Sequence, residues 1–323
     1  MTAHSSSTSR EYTDEEIRSL VRDLESLKSG QTAAAALIGC GPRAVPYLRA
    51  FVLRGRARGV YQPRQLAVET LAELGAKDVL LEYLEQPVQI EDAVVRFGEE
   101  AVRSTAAREL GRFGTHDVFE RLRKLAEDRL LPGLVETLGM FRKTEAVPYL
   151  LRALEDDICR SPAQEAIRKL GAQAVPFLVD AAAKRSPSAD EESPSSKQRR
   201  RWSLRLASEQ ELSPLEWPQV RALLDDSDPE IVMTAARVAL DIAPTGDKEY
   251  AVRRLIEMLP RANWFLKGEV QAALAAHFDL ARKTIESEIA RRSASDQKEK
   301  AKDMVLRLLI NLKRQTAESR TDT

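Results

Sequence analysis

Few side chains in this sequence are spaced for catalysis. The three histidines, His4, His116 and His277, lie far apart. None has a cysteine, a second histidine or clustered carboxylates at metal-ligand spacing. Cys40 and Cys159 are too few for a zinc set or a disulfide framework. No glycine-rich loop of the kind that cradles phosphate is present, and no Gly-x-Ser-x-Gly elbow. The acidic pairs Asp156-Asp157 and Asp225-Asp226 follow helical stretches, where solvated turn carboxylates are expected ahead of acid–base chemistry. No catalytic residue, metal site or cofactor is therefore expected.

Two groups are better placed to bind than to react. The run Lys197-Gln-Arg199-Arg200-Arg201-Trp202-Ser-Leu-Arg205 carries five basic residues and a Trp. It suits phosphate or an acidic protein surface, or else the outer face of a helix with Trp202 and Leu206 turned inward. The second group is a column. Tyr47, Tyr149 and Phe177 each follow Ala-Val-Pro, and Arg152 stands one turn beyond Tyr149. With Val147, Leu150, Leu151 and Leu154 assigned to the core, Tyr149 and Arg152 are expected to face the concave side and, with Tyr47 and Phe177, to form a partner-binding ridge. Packing of these aromatics between neighbouring helices is the competing expectation.

The elements that must carry these residues are helical and repetitive. Ala-Val-Pro-aromatic-Leu occurs at Ala44–Leu48, Ala146–Leu150 and Ala174–Leu178. Upstream stretches end in Leu-Gly or similar: Gln65–Gly75, Ala101–Gly111, Leu131–Gly139 and Ala163–Gly171. Val102, Ala106 and Leu110 recur every fourth position, one face of a helix. Thr13-Asp-Glu-Glu16 predicts a capping box, while Ser161-Pro162 and Asp228-Pro229 predict helix starts. Scarce aromatics, 5% of residues, and abundant Ala and Leu fit helices better than strands.

Gly171-Ala-Gln-Ala-Val-Pro-Phe-Leu178, Asp228-Pro-Glu-Ile-Val-Met-Thr-Ala-Ala-Arg237 and Val102-Arg-Ser-Thr-Ala-Ala-Arg-Glu-Leu-Gly111 resemble the helices of HEAT repeats. Their short units resemble most the HEAT-like repeats named after phycobilisome lyases. The resemblance covers residues 31–183 well and 197–260 less closely. It implies an all-α solenoid, a right-handed superhelix whose Ala-Val-Pro helices line the concave side. Expected boundaries are a disordered tail over 1–12, a capped N-terminal solenoid over 13–183, and a flexible Ser/Pro-rich loop over 184–196. A C-terminal helical segment over 197–315 and a disordered tail over 316–323 complete the division.

Fifty basic and fifty acidic residues give no net charge among 323, which argues against a dedicated nucleic-acid binder. The first ten residues lack the apolar stretch of a secretory signal, no apolar run is long enough to span a membrane, and a cytoplasmic protein is expected. The expected function is a non-catalytic scaffold or adaptor holding a protein or peptide on the concave face. The alternatives are an enzyme of the bilin lyase-like or DNA glycosylase-like kind that such folds host, or a nucleic-acid-binding module centred on Arg199–Arg205.

Overall fold

The computed structural model describes residues 12–54, 60–186, 191–213, 215–294 and 302–321, with backbone alone for 317–321. No strand occurs among them. The chain is an all-α solenoid of antiparallel helical hairpins, and its contacts divide it into two compact units at Leu170/Gly171.

The first unit contains α1 (Asp14–Asp23), α2 (Gly30–Gly39), α3 (Val45–Arg54), α4 (Gln62–Glu73) and α5 (Lys77–Glu85). It continues with α6 (Ala93–Gly111), α7 (His116–Asp128), α8 (Pro132–Met140), α9 (Val147–Ala153) and α10 (Arg160–Leu170). Helices α2, α4, α6, α8 and α10 stack in one row, and α1, α3, α5 and α7 in the second. The second unit contains α11 (Val175–Ala183), α12 (Pro194–Ser208), α13 (Trp217–Ala222), α14 (Pro229–Ile242) and α15 (Thr245–Met258). Its last helices are α16 (Trp264–Ala276), α17 (Phe278–Ser293) and α18 (Met304–Thr321). Here α12, α14 and α16 follow one another in one row. In the other, α11 packs on α13 and α15 on α17, and side-chain bonds join α13 to α15.

The repeated pentapeptide builds the same joint three times. A short 3₁₀ turn ends at Ala44, Ala146 or Ala174, and the α-helix starts at the following Val with Pro in its first turn. There the missing proline N–H has no intrahelical partner to lose. Leu48, Leu150 and Leu178 are wholly buried. The Thr13 capping box forms, and Asp228 caps α14 through the Glu230 N–H. Ser161-Pro162 lies inside α10, which starts at Arg160. Asp156 takes up the Ile158 and Cys159 N–H groups just upstream.

The Leu-Gly ends divide into two kinds. Gly75 and Gly171 have φ of +71° and +63°, the left-handed geometry that lets a helix stop. Gly139 is still helical, and a Cβ there would collide with Ala166. Its role is close approach of α8 to α10.

The boundaries differ from expectation at three places. The compact units divide at Leu170/Gly171, within the segment expected to be a single N-terminal array. The expected loop over 184–196 is a helix start from Ser193 onward. The Ser193 hydroxyl accepts from the Ser196 N–H at 3.2 Å, and Pro194 takes the first turn of α12. Ser and Pro suit a loop, yet the Ser-Pro pair is also a helix-start signal. Residues 187–190 of that segment lie outside the described residues, as do 1–11 of the expected N-terminal tail. The expected C-terminal tail is helical as far as Thr321.

Candidate partner-binding site

The residues predicted to form one ridge are not equivalent. Tyr149 is 7% exposed. Its hydroxyl receives the Leu131 N–H at 3.3 Å and donates to the Leu131 carbonyl at 3.4 Å. Burial raises its pKa. Arg152 lies over the Tyr149 ring, 5.4 Å from its centre. Its guanidinium donates to the Glu127 carbonyl at 2.7 Å and the Arg129 carbonyl at 3.2 Å, and also to the Ala126 carbonyl. It therefore satisfies carbonyls that the end of α7 leaves without intrahelical donors. The expectation that Tyr149 projects from the core is corrected: it fastens α9 to the chain entering α8. Tyr47 is half-buried on α3 with Arg18 above its ring at 5.5 Å. Phe177 belongs to the second unit and is 42% exposed.

The basic run is largely engaged within the fold. Arg200 is 0% exposed; it bonds the Ala182 carbonyl at 2.7 Å and Glu192 at 2.8 Å, and pairs with Asp226. Arg201 reaches Asp228 and Glu230, each at 2.8 Å. Arg199 donates to the Lys184 carbonyl at 3.0 Å. Arg205 lies over the Trp202 ring at 5.1 Å, with Glu209 at 4.0 Å. Lys197 is half-buried. Burial favours protonation of Asp226, but the Asp228 N–H and Arg200 outweigh it and hold that carboxyl below its ordinary pKa. This arrangement locks α12 to the start of α14. The expectation of one continuous basic patch is corrected at Arg200, which has no surface to offer.

An aromatic–arginine face does form, from residues not singled out in the sequence. Tyr250 on α15 is half-buried, with the guanidinium of Arg221 at 5.2 Å and that of Arg253 at 5.9 Å from its ring centre. Its hydroxyl donates to Asp225, which raises its pKa together with burial. Asp247 accepts from Trp217 Nε1 at 3.0 Å and Arg221 Nε at 2.8 Å, tying α13 to α15. Arg254 bonds the Leu224 carbonyl at 2.9 Å and Glu257 at 2.6 Å. Arg221 and Arg253 are exposed. The only sequence signal was Tyr and Arg spaced by three on one helix, which has no repeat to advertise it.

Elsewhere, charged clusters serve packing. Glu99 accepts from the Tyr83 hydroxyl at 2.7 Å and Arg103 Nε at 3.0 Å and also pairs with Arg64, all buried across α4, α5 and α6. A hollow of about 540 Å³ at the α16–α17 turn has His277, Asp279 and Thr316 among its lining. The Thr316 hydroxyl is already bonded to the Leu312 carbonyl at 2.9 Å. No group of three His, Cys, Asp or Glu able to hold a metal occurs among the described residues. Nor is any described helix long and apolar enough to cross a membrane.

Residues 90–168, which run from the loop before α6 into α10, match the family model for HEAT repeats. That segment is thus a HEAT-repeat array by sequence as well as by its stacked hairpins. Among solved structures, human deoxyhypusine hydroxylase in complex with glycerol is similar at 17% identity. The match covers 83% of this chain and 96% of that chain, with a TM-score of 0.31. No curated protein matches the sequence.

Proposed function

We propose that this chain is a non-catalytic helical-repeat scaffold or adaptor that holds a protein or peptide partner, with its contact face on α13 and α15. The observation that carries this reading is the Tyr250 ring held beside two exposed arginines, with Trp217 fixed next to them through Asp247. Aromatic and Arg side chains supply much of the binding energy of known interfaces. Here they are held in place before a partner arrives, so little side-chain freedom is lost on binding. The reading retains the resemblance to short HEAT-like units of the phycobilisome-lyase type for architecture alone. It places the protein in the cytoplasm, where two unpaired cysteines, Cys40 and Cys159, persist readily.

The test is affinity capture from native lysate, with and without nuclease, by the parent chain and by the double variant Arg221→Ala/Tyr250→Ala. A partner that survives nuclease and is captured at least about tenfold less well by the variant, at unchanged melting temperature, supports the reading. Equal capture by both chains, or retention that nuclease abolishes, overturns it.

A further inference from the structure

The face around Tyr250 continues into a cleft between α15 and α17. It has a volume of about 240 Å³ and is lined by Arg253, Ile256, Glu257, Thr284, Ser287 and Glu288. Two of its charges are already matched. Glu257 is held by Arg254 at 2.6 Å, and Glu288 by Arg291 at 2.6 Å and Arg292 at 2.7 Å. The Arg291 and Arg292 bonds, working against some burial, hold the Glu288 carboxyl below its ordinary pKa. Arg253 differs. Among the described residues no carboxylate lies within ion-pair distance of it, and its one close partner is the Tyr250 ring.

The hydroxyls of the cleft are also uncommitted. A helical Thr ordinarily bonds back to the carbonyl four residues earlier, as Thr70, Thr105, Thr234 and Thr316 do. Thr284 and Ser287 make no such bond. One guanidinium with several N–H donors and two rotatable hydroxyls therefore border the same small cleft, all on the solvent side of the α15–α17 contact.

We propose that this cleft is a subsite for a carboxylate side chain of a bound acidic peptide, with Arg253 as its cation and Thr284 and Ser287 as hydroxyl donors. The inference rests on the partner-binding reading above and supplies the chemistry of its ligand. Arginine recognises carboxylate and phosphate alike through paired N–H donors. The flanking Glu257 and Glu288 decide between them, because a dianion meets more repulsion there than a monoanion does.

The experiment titrates fluorophore-labelled hexaglutamate with the full chain and follows anisotropy, with hexaglutamine as the uncharged control. The expected result is binding of hexaglutamate and not of hexaglutamine. Arg253→Gln should weaken it at least about tenfold and Thr284→Val by less, neither moving the melting temperature. Indifference of hexaglutamate binding to Arg253→Gln overturns the subsite, as does equal binding of hexaglutamine. A phosphoserine peptide of the same length that binds at least about tenfold tighter than hexaglutamate overturns the choice of carboxylate. The two proposals fail separately. Loss of hexaglutamate in Arg253→Gln supports the subsite even if the Arg221→Ala/Tyr250→Ala chain captures its lysate partner as the parent does.

Discussion

Tyr149 with Arg152 and Tyr250 with Arg253 are the same pattern in the two units: a tyrosine, two residues, then an arginine, on one helix. In both the guanidinium stands over the ring, at 5.4 Å in the first and 5.9 Å in the second. What lies opposite separates them. The first pair faces the end of α7 and the chain leading to Leu131, whose carbonyls accept from the Tyr149 hydroxyl and from both terminal guanidinium nitrogens of Arg152. Among the described residues, the second has only the Asp225 carboxylate for its hydroxyl, and no carboxylate or carbonyl bonded to the arginine. Helix phase places a side chain, but the neighbouring repeat's loop decides whether it is structural or available. Unsatisfied helix-end carbonyls are strong acceptors and claim an arginine within reach.

Arg200 is the extreme of the engaged class and should give the largest effect. Arg200→Ala removes the buried cation shared by Glu192 and Asp226, whose side chains are 8% and 5% exposed, and leaves Glu192 with the Ser196 hydroxyl and Asp226 with Arg185 and the Asp228 N–H. The expected loss is about 3–5 kcal/mol of second-unit stability, read by urea unfolding. A shift below about 1 kcal/mol would mean that the buried pairing does not hold α12 in place.

Next comes Tyr149→Ala, which empties a buried ring site and should cost about 3 kcal/mol or more. Arg152→Ala removes hydrogen bonds from a partly exposed guanidinium, so about 1–2 kcal/mol is expected. Both are measured by the same unfolding curves. If either substitution is silent in stability while partner capture falls, the pair is a binding ridge after all, and the contrast with Tyr250 disappears.

The fold was legible where one signal repeats. Three Ala-Val-Pro units gave the inward phase of Leu48, Leu150 and Leu178, and the caps at Thr13 and Asp228 formed as read. Legibility ended where a side chain's partner is distant in sequence. The burial of Arg200 depends on Asp226, 26 residues away, and that of Tyr149 on Leu131, 18 residues before it. Periodicity within one helix carries no information about such partners. The candidate face was missed for the same reason: Arg221 and Tyr250 belong to different helices, and no repeat of the pattern flags them.

The smallest effect is the sharpest test, because it deletes one oxygen from each tyrosine. Tyr149→Phe leaves the ring in place and removes both bonds to Leu131; the carbonyl keeps the Leu134 and Val135 N–H groups, but the Leu131 N–H then has no replacement at a buried site. Unsatisfied buried groups cost about 1–3 kcal/mol, and bonds of 3.3 and 3.4 Å belong at the lower end, so about 1 kcal/mol is expected. Tyr250→Phe removes a bond to Asp225, a carboxylate about half exposed, to which water has access. The ring remains beside Arg221 and Arg253, so the stability change should stay within about 0.5 kcal/mol. Differential scanning calorimetry on the two variants measures both. Equal losses would show that the Tyr250 hydroxyl is as structural as that of Tyr149, and that the α13–α15 face is built for packing.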